Sequence, residues 1–197
     1  MTDEVGGKAD APCRLWKLPG ELRNRIYRYV LLKPEDAAGN DRIIVDATGY
    51  DRPGVVSTCK QIRKETLKIF YSENAFHIEV INYNSSTLLR WESHLKPMRM
   101  QERGHLFVSV HLEDEVGWWA NLLLWLQRFH ERKVRTRALA PEQVLKVFNS
   151  KDAGTHLMGA MFMTVDEFRD QPWQRIEKHI QNFRPALIAV QEPWSKD

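Results

Sequence analysis

Residues 18–32 read LPGELRNRIYRYVLL and residues 58–78 read TCKQIRKETLKIFYSENAFHI. Together they spell a short amphipathic helix, a polar insertion, a longer amphipathic helix and a strand. Pro19 suits the first turn of a helix, where its missing N–H has no partner to lose, so a helix is expected from about Pro19. With successive residues about 100° apart, Leu15, Leu18, Leu22, Ile26, Tyr29 and Val30 fall within one third of the circumference. Arg23, Asn24 and Arg28 lie opposite, and Glu21 precedes Arg25 by one turn in the favourable order. One side of the helix is apolar and the other basic.

The second stretch follows Pro53-Gly54, with Ser57 or Thr58 placed to cap a helix that runs to about Tyr71. Its apolar arc holds Val55, Cys59, Ile62, Thr66, Ile69 and Phe70, while Lys60, Lys64 and Lys68 line the far side. Arg63 points about 40° from Cys59, into the apolar arc, where a guanidinium must snorkel outward or find oxygen acceptors. It is expected to be a structural tether, to Glu21 or to the backbone of the insertion. Ser72-Glu73-Asn74 ends the helix, and residues 75–81, AFHIEVI, alternate as a half-buried strand does.

Leu18-Pro19-x-Glu21-Leu22-x-x-x-Ile26-Tyr27-x-Tyr29-Val30 resembles the opening of an F-box. Residues 15–81 as a whole resemble an F-box-like family of uncharacterised fungal proteins, in which an LPxELRNxIYxY motif is followed by TCxQIRxE and FYxxNxF. True F-boxes dock on the Skp1 adaptor of a cullin-RING ubiquitin ligase through the Leu-Pro pair and the stripe after it. The resemblance therefore implies a partner-binding surface of Leu18, Pro19, Leu22, Ile26 and Val30, and the role of a substrate adaptor. It departs from a true F-box after the first helix. Residues 33–54 are rich in turn formers around the β-branched run Ile43-Ile44-Val45, where an F-box continues directly into its next helix. The other reading of the residues is a fungal-specific scaffold or binding domain in which the same stripe is internal core and Skp1 is not bound.

At 197 residues and 43% hydrophobic content, the chain is long enough to bury one core and short for two. The expected organisation is a disordered leader over residues 1–13 and a single α+β domain over 14–197. Within it, residues 15–81 carry the signature and 82–197 form a family-variable C-terminal part. The leader lacks an apolar h-region and does not read as a secretion signal. Cys13 and Cys59 are too far apart in context to suggest a disulfide framework, and Cys59 is expected to be buried. The longest apolar run, Trp118 to Leu126, is far short of a membrane span. An intracellular protein, cytoplasmic and/or nuclear, is the expectation. A net charge of +3 does not by itself point to a polyanion, so nucleic acid is not the expected partner. Oligomeric state and the identity of a recruited protein stay open.

Beyond residue 81 the pattern places a helix over 84–95, a strand over 105–112 and a nearly all-round apolar helix from Glu115 to about Arg132. The basic cluster RFHERKVRTR that follows suits a solvated helix end. Further helices are expected from Pro141 to Phe148, through a methionine-rich segment, and around Trp173, Ile176, Ile180 and Phe183. The last should stop at or before Arg184, because Pro185 disfavours helical geometry in the residue before it. Residues 186–190 are then left as a strand or an irregular tail.

Nothing in the chain spells a reaction. No Gly-rich phosphate loop, nucleophile elbow or H-E-x-x-H pair occurs. His105 and His111 share a strand face without further ligands, and Glu113-Asp114-Glu115 reads as helix-start acidity. No catalytic, cofactor or metal residue is therefore assigned, and an enzyme is not expected. The expected fold is α+β, with a small, mainly antiparallel sheet from strands near 43–46, 75–81 and 105–112, covered by helices, behind an F-box-like N-terminal helix.

Overall fold

β-branched and aromatic runs form three strands, β1 (Arg42–Val45), β2 (Ala75–Ile81) and β3 (Leu106–His111). They assemble in the order β1-β2-β3. Both pairings are parallel, with Ile44 opposite His77 and His77 opposite Phe107. The mainly antiparallel sheet expected from the sequence is thus corrected to an all-parallel one, although the α+β class holds. The reason lies in the connections. A hairpin reverses a strand, whereas a helical crossover returns the chain to the starting end and makes the next strand parallel. Here α2 (Lys60–Glu73) links β1 to β2, and α3 (Ser86–Leu95) lies between β2 and β3. The helical period between strand patterns was the available signal.

The computed structural model describes residues 14–35, 41–96, 106–113, 116–136 and 153–196. The leader, His105 and the helix expected over Pro141 to Phe148 lie outside these residues.

Period-two burial puts Ile43, Val45, Phe76, Ile78 and Val80 in the core. Phe76 meets Phe70 and Tyr71 of α2 and Trp91 of α3, with ring centroids 5.6, 5.9 and 4.7 Å away. Both crossover helices therefore pack on this face. The opposite face carries Ile44, Glu79 and Ile81, all exposed, and His77, half-buried.

A helical layer adjoins the C-terminal end of β2. Asn82 and Tyr83 there both take the left-handed conformation, at φ 48° and 61°, a costly geometry outside glycine. The turn is held by α4 (Trp118–His130), whose Asn121 amide donates to Asn82 O at 2.9 Å, and by a bond from Glu113 N to Asn82 Oδ1. It buries Tyr83 against Trp118 and Trp194. Trp125 and Phe129 of α4 meet Phe162 of α5 (Ala153–Glu167). Next come α6 (Trp173–Gln181) and α7 (Arg184–Val190). The tail expected after Pro185 is a helix instead: proline is disfavoured late in a helix but welcome in its first turn, so Pro185 starts a new helix after the old one ends.

Candidate functional site

The N-terminal helix, α1 (Gly20–Leu31), follows Pro19. It rests on α2 through buried Tyr27 and Leu31 and through the charged side chains around them. Arg23 donates to both oxygens of Glu65, from Nε at 3.1 Å and Nη2 at 3.0 Å, and the Tyr27 hydroxyl donates to the same carboxylate at 2.9 Å. Arg28 repeats the bidentate pattern on Glu73 at 2.7 and 2.8 Å. Such forks are the strong form of charged hydrogen bond. Arg23 also closes on its own chain, giving Nη1 to Leu18 O at 2.8 Å. The Arg23 hydrogen bonds hold the Glu65 carboxyl below its ordinary range.

The end of α1 is fixed by Asn74, a buried residue between α2 and β2. Its Nδ2 donates to Leu31 O at 3.0 Å and Phe70 O at 2.9 Å, and its Oδ1 accepts from Lys33 N at 2.8 Å. Only Tyr27 and Leu31 of α1 are buried.

The apolar stripe therefore faces away from the protein. Leu22 is 47% exposed, Ile26 40%, Tyr29 78% and Val30 52%. Of the other residues assigned to partner binding, Pro19 is exposed and Leu18 half-buried. Isolated exposed apolar side chains are ordinary, but a row along one helix marks an interaction surface. At Val30 the row passes into a groove of about 400 Å³ that includes Ile44 of β1, itself 39% exposed.

Arg63 gives its Nε to Val56 O at 3.2 Å, just past the insertion, and its side chain is exposed. Cys59 is exposed too, a correction to the buried cysteine expected from the apolar arc. The helix begins one or two residues later than a cap at Ser57 or Thr58 predicts. A tight turn over Gly54–Ser57 comes first, and Cys59 is the N-cap of α2, its Sγ accepting from Ile62 N at 3.5 Å.

Two side-chain clusters escaped the sequence. Arg52 Nη2 lies 2.8 Å from Tyr50 OH, 2.9 Å from Tyr71 OH and 2.8 Å from His94 Nε2, and the two hydroxyls bond each other. Burial pushes the Tyr71 phenol above its ordinary range and the His94 imidazole below, the latter with help from Arg52. The four groups bond one another and tie the loop after β1 to the ends of α2 and α3. On the open sheet face, Ser109 Oγ sits 2.7 Å from His77 Nε2 and 3.0 Å from His111 Nε2. No motif foretells either cluster, since each joins residues from several elements. Among the described residues no group of three or more His, Cys, Asp or Glu side chains is arranged to hold a metal. No helix among them is long and apolar enough to cross a membrane.

Comparison with family models, with curated proteins and with solved structures returns no match.

Proposed function

We propose that this chain is an F-box-like protein-interaction protein whose α1 docks on Skp1 through Leu18, Pro19, Leu22, Ile26 and Val30, as a non-catalytic substrate adaptor of a cullin-RING ligase. One observation carries the docking part: α1 is held to α2 by Arg23, Arg28 and the buried Tyr27 and Leu31, and leaves the apolar row Leu22, Ile26, Tyr29 and Val30 40–78% exposed. An amphipathic helix that serves only its own fold does the reverse. The identity of the partner rests on the LPxELRNxIYxY resemblance, and an intracellular location follows from that partner. The scaffold alternative, in which the stripe is internal, requires Leu22 and Ile26 to be covered, and no described residue covers them fully.

The test is co-elution of the full chain with purified Skp1, using a genuine F-box as positive control. Binding should be lost in Leu22→Asp plus Ile26→Asp, a variant checked for native circular dichroism. No co-elution of the wild type, or equal co-elution of the variant, ends the Skp1 assignment.

A further inference from the structure

β1 has a described neighbour on one side only, because β2 pairs with it and the sheet ends there. An edge strand presents a row of main-chain N–H and C=O groups that another chain can pair with. Lys33 marks which residues form that row: its ammonium takes Arg42 O at 2.5 Å. Main-chain groups alternate sides along a strand, so Ile44 directs its own N–H and C=O the same way as Arg42. At this edge lies the groove of about 400 Å³, lined by the chain from Val30 to Pro34 and by Ile43, Ile44, Asp51, Pro53 and Phe70.

We propose that this groove and edge bind an extended segment of a partner protein. The segment pairs main chain to main chain with Ile44, seats a large aliphatic or aromatic side chain in the groove, and presents a Lys or Arg to Asp51. Three observations select that occupant. Only an extended chain offers a donor and an acceptor on the same side at strand spacing, whereas a helix laid there leaves the Ile44 groups unpaired. The groove's walls are largely apolar, and its volume falls in the range of built ligand sites. Asp51 is exposed with no cation paired to it among the described residues, while Lys33 across the groove is engaged with Arg42. β1 is only four residues long, and Lys33 already occupies its first outward carbonyl, both devices that keep an edge from indiscriminate pairing. Recognition therefore depends on the side chain in the groove and on Asp51 as much as on the main chain.

This site adjoins the α1 docking surface at Val30 but does not depend on Leu22 or Ile26, which do not line the groove. A phage-displayed library of linear 12-residue peptides is panned on the full chain, and the best peptide is titrated by fluorescence anisotropy. The enriched sequences should carry an apolar anchor beside Lys or Arg. The Kd should rise at least tenfold in Ile44→Pro, a substitution an edge strand accepts when the lost N–H faces outward. Should that variant lose its native circular dichroism, Asp51→Lys supplies the same tenfold loss. A peptide with Glu in place of its basic residue should then recover binding to Asp51→Lys. Leu22→Asp plus Ile26→Asp should bind the peptide as the wild type does. Failure to enrich any peptide, or equal affinity in Asp51→Lys, overturns the proposal. So does a dimer in sedimentation that Ile44→Pro dissociates, which would give the edge to a second copy of the chain.

Discussion

Asn74 joins three segments with one side chain. Its amide serves Leu31 O, Phe70 O and Lys33 N, and it is 4% exposed. Replacing it with Ala strands those main-chain groups, so Asn74→Ala should lower unfolding stability by about 1–3 kcal/mol, read from denaturant midpoints at constant slope. Glu65 acts differently. Its folded carboxyl is held below the ordinary value by hydrogen bonds from Arg23. A depressed carboxylate stabilises fully above its unfolded pKa, about 4.3, and that contribution is lost as pH falls through the folded value. The α1–α2 joint should therefore loosen only in acid below that unfolded pKa, visible as a shift of Tyr27 ring resonances in NMR. Glu65→Gln should already show the loosened state at neutral pH and respond little to acid; an unchanged wild-type titration in that variant would refute the assignment. None of these partnerships is visible in sequence. Arg23 and Tyr27 lie 42 and 38 positions from Glu65, and only the docking of α1 on α2 brings them to it.

At the scale of elements, the pattern located more than it oriented. Periodicity predicts a helix from about Pro19, and α1 spans Gly20–Leu31. The strand pattern over residues 75–81 coincides with β2. The amphipathic character of α1 is equally plain, but which side it turns to the protein depends on Glu65 and Glu73 of another helix. Because the stripe is only partly covered, Leu22→Asp plus Ile26→Asp should lower folding stability by about 1–2 kcal/mol, from helix propensity and partial burial. A core stripe would instead lose several kcal/mol, and chemical denaturation tells the two apart. The second half of the α6–α7 pair is illegible in sequence because one residue has two meanings. Pro185 argues against helix in the residue before it, yet favours helix in the residues after it.

Across the whole molecule, strand sequences do not state their partners, and it is the intervening helices that give the sheet its parallel direction. The Trp118–Leu126 run buries Trp118, Leu122, Trp125 and Leu126 on one side, while Leu124 on the other stays 41% exposed, so apolarity nearly all round overstates how much of this helix is covered. Trp125 is fully buried and donates to Thr136 O at 3.1 Å. Trp125→Ala should cost about 3–5 kcal/mol through the cavity it leaves, and a loss below about 1 kcal/mol in calorimetry would mean this layer is not integral to the fold. The sheet itself is lopsided. Parallel sheets ordinarily have both faces covered, whereas here Ile44 and Ile81 stay 39% and 42% exposed.

Fastening α1 by charge while its grease faces outward makes solution ions act on the two sides in opposite senses. Sodium chloride at high concentration screens the guanidinium–carboxylate forks and eases the helix away from its support. Ammonium sulfate, excluded from protein surfaces, strengthens apolar association and should drive molecules together through the row from Leu22 to Val30. Light scattering at equal ionic strength should thus rise in sulfate well before it does in chloride, and the difference should vanish once that row carries aspartates.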